Sequence, residues 1–301
     1  MKGEGKEAMI DMHIHSNNSD GTKTVKEILV QAQQLGLNTI SFTDHETCNA
    51  YEELEQIDVN KYFNGKIIRG VELKSQYKDI VMDVLGYGID CNKMEQYLIE
   101  CYKDTSKAQI QEKQVKEFYE IGAKMGLILL PIEELQWDKT KEWGSVVFYE
   151  EMKSHIQNKD KLPADLWESF RNFKQNHYHI KGNPFYIDRA KNYPKIERII
   201  EIIHNSGGKA FIAHIFEYNE IENKISELEE IVSKYDIDGI ECYYTNFTAE
   251  QHEQVLEFTK KHNLLISGGS DYHGDNKPGI ELGVGRGNLQ VPDNILEDWY
   301  I

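Results

Sequence analysis

One stretch near the start of the chain, residues 9–15, constrains the fold more than any other. Its sequence is MIDMHIH, in which apolar residues alternate with others, as is typical of a short strand. His13 and His15 are two residues apart, so their side chains point to the same side of that strand. Two imidazoles placed in this way can share a metal ion, but the pair is a weak signal unless further ligands join it.

The same order, an apolar run that leads to a polar residue able to bind metal, recurs seven times. The residues concerned are His13, His15, His45, Glu72, Asp83, His214, Glu241, Asp271 and His273. Sites of parallel barrels collect at the carboxyl ends of the strands, so this arrangement predicts a barrel of parallel strands. Strands that alternate with helices independently indicate the α/β class.

Two helices between these strands carry clear start signals. Thr24 with Glu27, and Thr248 with Gln251, are each a hydroxyl residue followed three positions later by Glu or Gln. That spacing predicts a capping box, which satisfies the free N–H groups at a helix start. Gly36 is placed to end the first helix, since glycine readily adopts the left-handed backbone conformation of a C-cap.

Residues 92–195 interrupt the alternation of strands and helices. They divide the chain into a barrel domain, 1–91 with 196–301, and an insertion. The insertion is rich in Lys, Glu, Gln, Tyr and Trp, and 95–122 reads as one long helix. It packs either on the side of the barrel or over the substrate pocket as a cap. We favour the cap, because substrate-positioning elements often come as insertions on the loop face.

Net charge, cysteine spacing and hydropathy restrict the possible functions and locations of the protein. The formal net charge of -17 argues against a stable complex with nucleic acid, since phosphate backbones attract stripes of Lys and Arg. Four scattered cysteines without CxxC spacing fit a reduced cytoplasmic protein. The first eight residues, MKGEGKEA, lack the apolar core of a signal peptide, and no run is long enough to span a membrane.

The candidate ligands number more than one ion can use, so they suit two or three ions. They are His13, His15, Asp20, His45, Glu72, Asp83, His214, Asp271 and His273. Nitrogen and carboxylate oxygen without thiolate suit Zn²⁺, Mn²⁺ or Fe²⁺. Neighbouring ions about 3.5–4 Å apart can activate a shared water and hold the oxygens of a phosphoryl group.

With these residues the chain resembles the polymerase and histidinol phosphatase (PHP) superfamily of metal-dependent phosphoesterases, in its stand-alone bacterial form. The matching pieces are DMHIHSNNSDG, FTDHET, GVEL, GGKAFIAH, GIECYY and SGGSDYHGDNKPGIELGVG. The resemblance implies a distorted (β/α)₇ TIM-like barrel with a mainly helical insertion and a site of up to three metals. It implies three ligand sets, namely His13, His15, Glu72 and Asp271, then Glu72, Asp83 and His214, then Asp20, His45 and His273.

Two positions depart from the family pattern. Asp83 stands where members of this type often carry His, and Ile215 stands where Pro is usual after the ligand His. Carboxylate is a harder ligand than imidazole, so Asp83 favours Mn²⁺ or Fe²⁺.

The resemblance implies hydrolysis through attack of a metal-bridged hydroxide on phosphorus. We assign catalytic roles to Asp271 and to His45 or His273, the latter two assisting proton transfer when not fully committed to a metal. Asp44 and Glu241 are expected to orient ligating imidazoles, although Glu241 serves equally well as a capping or salt-bridging carboxylate. Arg189 and Lys181 are candidates for binding substrate phosphate.

The leading expectation is a phosphoesterase for a small phosphorylated metabolite, with a nucleoside monophosphate or 3′,5′-bisphosphate as the best candidate. Histidinol phosphate is an alternative substrate, as is a short oligonucleotide that the enzyme would cleave as a nuclease. An amidohydrolase reaction is an alternative to phosphoester hydrolysis. A non-catalytic module that binds metal or a partner is the alternative of another class, and the full ligand set argues against it.

Overall fold

A computed structural model of the protein describes residues 9–300. The chain forms two compact units, the first made of Met1–Cys101 with Tyr193–Ile301 and the second of Tyr102–Asn192. The expected insertion, 92–195, contains the second unit. Residues 1–8, for which the sequence predicts no signal peptide, lie outside the described residues. No helix within 9–300 is both long and apolar enough to cross a bilayer.

In its described residues, the first unit holds eight strands in two sheets. The strands are β1 (Met9–Ile14), β2 (Leu37–Phe42), β3 (Lys66–Ile67), β4 (Gly70–Tyr77), β5 (Ile80–Tyr87), β6 (Lys209–Ile212), β7 (Gly239–Tyr244) and β8 (Leu265–Gly269). The first sheet has the order β1-β2-β3 and is parallel. The second has the order β4-β5-β6-β7-β8, in which β5 is antiparallel to both neighbours and β6, β7 and β8 are parallel.

The structure confirms the α/β class, but the residues that it describes do not form the expected barrel of parallel strands. Within 9–300 the two sheets do not close through continuous pairing, and single bridges, Ile14 to Tyr272 and His45 to Glu72, link their strands. Only Lys78 and Asp79 separate β4 from β5, and so short a connection permits only an antiparallel hairpin. β5 therefore runs against its neighbours, and Asp83 lies in its middle rather than after its end.

Helices surround these strands. In the first unit they are α1 (Val25–Leu35), α2 (Asn49–Glu55), α3 (Cys91–Tyr102), α8 (Ile196–Asn205), α9 (Lys224–Lys234) and α10 (Ala249–His262); the second unit contributes α4 (Lys107–Lys124), α5 (Gly144–Ser154), α6 (Ala164–Glu168) and α7 (Phe170–Asn172). Both predicted capping boxes are confirmed, at Thr24 of α1 and Thr248 of α10. Gly36 ends α1 with φ of 74°, as predicted.

The single helix expected over 95–122 is wrong, because the chain breaks between α3 and α4. Ser106 caps α4 by accepting a hydrogen bond from Gln109 N, and the Gln109 side chain returns the contact. This capping box starts a new helix in place of continuing the old one. Within the second unit, Phe118, Phe148 and Phe173 form the centre of a separate aromatic core.

The core of the first unit lies directly beneath β1. Ile10 and Met12 pack into a cluster with Tyr87, Phe211 and Trp299. Side chains alternate along a strand, so the intervening residues of β1 face the other way. β1 is buried on both faces, and its second face is polar.

Candidate metal centre

The polar face of β1 brings two imidazoles together. His13 Nε2 and His15 Nε2 face each other across 3.2 Å, and both side chains are fully buried. β8 approaches β1 closely here, since a Cβ atom on Gly269 would lie only 2.3 Å from His13 N. Glycine at this position therefore allows β8 to deliver the next residues to the two histidines.

Among residues 9–300, three groups of side chains can each hold an ion, and they overlap. They are His15, Asp20, His45 and His273; His13, His15 and Glu72; and Glu72, Asp83 and His214. Within each group one ligand atom per residue lies within 4.8 Å of the others. His15 and Glu72 each belong to two groups, so the fold gathers eight of the nine predicted ligands into one connected cluster.

The ninth residue, Asp271, borders the same cluster. Its Oδ1 lies 3.5 Å from His13 Nε2 and 3.4 Å from His15 Nε2. Asp271 has a φ of 56° and His214 a φ of 23°, values that non-glycine residues rarely adopt. Strain of this kind typically occurs where a functional side chain must be aimed.

Glu72 stands at the centre of the groups. Its Oε2 lies 3.1 Å from His15 Nε2 and 3.3 Å from His13 Nε2, while its Oε1 lies 3.0 Å from His214 Nε2. Oε2 is also 3.4 Å from His45 Nδ1. A carboxylate with both oxygens among imidazoles of different groups is placed to bridge two ions.

Asp20 lies at the outer side of the cluster. Its side chain is 54% exposed, and it contacts His273 at 3.1 Å, His15 at 3.4 Å and His45 at 3.6 Å. His45 is itself partly open to solvent at 16% exposure. The group around Asp20 is therefore the most exposed of the three, although His214 of another group is also 11% exposed.

The two carboxylates that were predicted to orient imidazoles, Glu241 and Asp44, differ in their contacts. Glu241 is fully buried; its Oε1 lies 2.8 Å from His13 Nδ1, and its Oε2 accepts a hydrogen bond from His214 N at 2.8 Å. Asp44 instead accepts hydrogen bonds from Ser16 and Ser19, and within 9–300 none of its hydrogen bonds comes from an imidazole. Asp44 therefore connects the loop after β1 to the end of β2 instead of orienting an imidazole.

Several residues of the centre were not singled out from the sequence. Asp11, buried on β1, accepts hydrogen bonds from Ser270 N at 2.9 Å and Gly283 N at 2.7 Å, which ties β1 to the segments after β8. Tyr244 and Lys277 both donate to Asp271 Oδ2. Lys277 belongs to the KPGIELG stretch, but only the fold brings it to Asp271.

The buried groups shift one another's proton affinity. Burial lowers the pKa of His13, yet the carboxylates of Glu241 and Glu72 outweigh it and hold that pKa well above its usual value. Burial likewise opposes the charge of His214, but its hydrogen bond to Glu72 raises its pKa to about 9. Burial, with the charge of Glu72, raises the pKa of Asp83 to about 7. The metal-free centre thus stores protons that ions would displace.

The donor atoms fit divalent metal ions. When His13 donates a hydrogen bond from Nδ1 to Glu241 and releases its second proton, its Nε2 presents a lone pair toward His15. Asp83 Oδ1 and His214 Nδ1 are buried and have no hydrogen-bond partner in the described part of the chain. A buried polar atom without a partner is costly, and a bound cation removes that cost.

The two predicted phosphate-binding residues belong to the second unit. The guanidinium of Arg189 lies 5.9 Å from the centroid of the Tyr178 ring, a cation–π contact inside that unit. Lys181 follows the π-helical segment Phe173–Tyr178. Their contact with substrate stays a prediction.

Known proteins are similar to this chain over most of its length. The family model described as PHP domain matches residues 11–261. The 5'-3' exoribonuclease Rnm of Escherichia coli (strain K12) is 24% identical over 295 residues, which cover 97% of this chain and 92% of the relative. The 3',5'-nucleoside bisphosphate phosphatase of Chromobacterium violaceum is 23% identical over 279 residues, covering 92% and 91%.

A solved structure shows the same fold. It is a Bifidobacterium adolescentis protein assigned as a metal-dependent phosphoesterase, 20% identical, with a TM-score of 0.63 over 98% of this chain and 96% of the other.

Proposed function

Because the chain belongs to the PHP domain family, we propose that it is a metal-dependent phosphoesterase whose substrates are nucleotides. It is a hydrolase that acts on phosphoric ester bonds, as its relatives are. The preferred substrate in this proposal is a nucleoside 3′,5′-bisphosphate or monophosphate. The bisphosphatase relative from Chromobacterium violaceum supports that choice.

One observation carries the proposal, namely that His15 and Glu72 are each shared between two ligand groups. Shared ligands bring neighbouring ions close to each other. Phosphoesterases use such ion pairs to hold both the attacking and the leaving oxygen of a phosphoryl group. An isolated structural ion would need only one of the three groups.

In this proposal two or three ions of Mn²⁺, Fe²⁺ or Zn²⁺ occupy the groups. The ligand sets are His13, His15, Glu72 and Asp271, then Glu72, Asp83 and His214, then Asp20, His45 and His273. Bound ions would supply Lewis-acid activation of water and neutralise the charge of the phosphoryl oxygens. Glu241 would hold His13 in the tautomer that leaves its Nε2 free for an ion.

Where the group of Asp20, His45 and His273 holds no ion, His45 is the better candidate for moving a proton to the leaving group. Its ring is 16% exposed, whereas that of His273 is 4% exposed and has its Nδ1 2.9 Å from Asp271 O. Burial lowers the pKa of His45 well below its usual value, so the neutral ring is its resting form. A neutral imidazole at the solvent edge can take a proton and pass it on.

RNA is a second candidate substrate, and a specific observation favours it. The exoribonucleases of Escherichia coli and Haemophilus influenzae match this chain over nearly its full length. The expected absence of a nucleic-acid complex therefore has no support from these relatives. A short 5′-phosphorylated oligoribonucleotide would present the same ester chemistry as a bisphosphate, with a diester in place of the 3′-phosphate. The role of 92–195 as a cap carrying Arg189 and Lys181 stays a prediction.

The test is a substrate panel with defined metal loading. Protein stripped of metal and reloaded with Mn²⁺, Fe²⁺ or Zn²⁺ is given a nucleoside 3′,5′-bisphosphate, a monophosphate, histidinol phosphate, a short 5′-phosphorylated RNA, an amide and a lactone. We expect fastest release of phosphate from the bisphosphate. Glu72→Gln should abolish it, while Glu217→Gln, which alters an exposed carboxylate, should not. Hydrolysis of the amide or lactone alone would contradict the proposal.

A further inference from the structure

Lys277 is the cation in closest contact with a candidate ligand among residues 9–300. Its Nζ lies 2.5 Å from Asp271 Oδ2, while the other oxygen of the same carboxylate faces His13 and His15. Lys277 thus stands at the edge of the centre, on the far oxygen of a residue expected to hold an ion.

Asp271 Oδ2 has a second partner, which can hold this carboxylate in place beside Lys277. The hydroxyl of Tyr244 donates to the same oxygen at 2.8 Å. Tyr244 is buried, as is Asp271, whose side chain is 3% exposed. A buried tyrosine hydroxyl with one fixed direction is well suited to fixing a carboxylate.

Lys277, in contrast, opens toward solvent. Its side chain is 38% exposed although its ammonium contacts a buried carboxylate. An ammonium has three N–H donors, and Asp271 uses one of them. The backbone of Lys277 is held in a short turn, since its N donates to Gly274 O and its O accepts from Ile280 N. Because the backbone is fixed and the four-carbon side chain is flexible, the ammonium can shift from Asp271 toward a bound ligand nearby.

We propose that Lys277 binds a phosphate group of the substrate, with its ammonium donating to a phosphoryl oxygen while Asp271 remains fixed by Tyr244. This inference rests on the proposed function, since it concerns the same centre. The carboxylates of Asp271, Glu72 and Asp20 surround Lys277 and would repel a phosphate. A cation at this position reduces that repulsion and so favours phosphate binding.

The other nearby lysine is less well placed. Lys74 lies on β4 two residues after Glu72, and its ammonium is 3.6 Å from Glu46 Oε1. Its side chain is 26% exposed, less than that of Lys277. Burial opposes the charge of Lys74, but the carboxylates of Glu46 and Asp83 hold it as a cation within the hairpin. Both lysines pair with a carboxylate, but the Lys74 side chain is the less open of the two to an incoming phosphate.

The experiment compares Lys277→Met with two matched variants. Tyr244→Phe removes the other hydrogen bond to Asp271 Oδ2 without changing the charge. Lys23→Met removes a lysine that pairs with exposed Asp275 at 3.1 Å. Each Mn²⁺-loaded protein is tested for manganese content, for binding of inorganic phosphate by titration calorimetry, and for kcat and KM with a nucleoside 3′,5′-bisphosphate.

We expect Lys277→Met to keep its manganese and to bind inorganic phosphate about ten- to a hundredfold more weakly, the loss typical of a charge-assisted hydrogen bond. Tyr244→Phe and Lys23→Met should stay within about twofold of the unaltered protein in phosphate affinity. Lys277→Arg should recover most of the phosphate affinity, since it restores the charge.

Three results would overturn the proposal. They are unchanged phosphate binding by Lys277→Met, an equal loss in Tyr244→Phe, or loss of manganese from Lys277→Met, because the last two mean that Lys277 acts through Asp271. Failure of the proposed function would look different. The unaltered protein would then hydrolyse no ester of the panel, while the dependence of phosphate binding on Lys277 would still show that its ammonium binds phosphate.

Discussion

Glu241→Gln is the substitution that best tests how the centre is held. Glu241 is fully buried and links two ligand groups, through His13 Nδ1 and through the backbone N–H of His214, both at 2.8 Å. A carboxylate accepts at both oxygens, but a glutamine accepts at one and donates at the other. One of the two N–H donors must therefore face the new NH₂ group.

The magnitude follows from these two contacts. A buried donor left without an acceptor costs about 1–3 kcal/mol, so the metal-free protein should lose about that much unfolding free energy. Loss of the partner that orients a ligating histidine typically weakens metal binding about 10- to 100-fold, or roughly 1.4–2.7 kcal/mol. The charge of Glu241 also helps to raise the pKa of His13, so the substitution should lower it.

The sign of the pH effect is fixed by that raised pKa. A histidine whose folded pKa exceeds its unfolded value stabilises the protein fully below the unfolded pKa, and this contribution disappears as the pH rises through the folded value. The stability lost by Glu241→Gln should thus be larger at pH 6 than at pH 9.

Urea unfolding of metal-free protein at both pH values, and chelator competition for metal affinity, measure the two effects. Glu217→Gln is the matched exposed control. Metal affinity within twofold of the unaltered protein would refute the orienting role of Glu241.

Three further predictions concern the cluster and its support. Glu72→Gln should lower the metal-to-protein ratio, measured by elemental analysis, more than Asp83→Asn does, because Glu72 belongs to two groups and Asp83 to one; equal losses would contradict the shared role. Metal affinity should rise from pH 6 to pH 9, because both His13, whose pKa is raised, and His214, with a pKa of about 9, must release protons. Calorimetry in buffers of different ionisation enthalpy should show that release. Asp11→Asn should cost about 1–3 kcal/mol of unfolding free energy in urea titrations, because its amide would face backbone N–H groups that now donate to the carboxylate; an unchanged midpoint would show that these bonds are dispensable.

Local signals in the sequence were sufficient for the elements that depend on local physics. Thr24 with Glu27 starts α1, and Gly36 ends it, because a capping box and a left-handed glycine act within one helical turn. The histidines of β1 meet as expected, since the alternation of a strand fixes which side chains share a face. The ligands clustered because most of them follow apolar runs that end at one edge of the sheets.

The parts that were missed depend on contacts between distant segments. The direction of β5 follows from the two-residue connection after β4, a signal present in the sequence but outweighed by the expectation of parallel strands. The break between α3 and α4 depended on Ser106, which an otherwise continuous helical pattern concealed. Tyr244 and Lys277 are 33 residues apart in numbering and meet only at Asp271 Oδ2, so no spacing rule finds them.

The reversed direction of β5 also explains why a carboxylate at position 83 fits this fold. The register pairs Asp83 directly with Lys74 on β4, so the two side chains lie on the same face of the hairpin. Burial and Glu72 raise the pKa of Asp83, whereas the charge of Lys74 lowers it. An imidazole at position 83, which the family resemblance leads one to expect, would leave Lys74 without this compensating carboxylate. Asp83 and Lys74 therefore face each other across the hairpin, and each favours the charged form of the other.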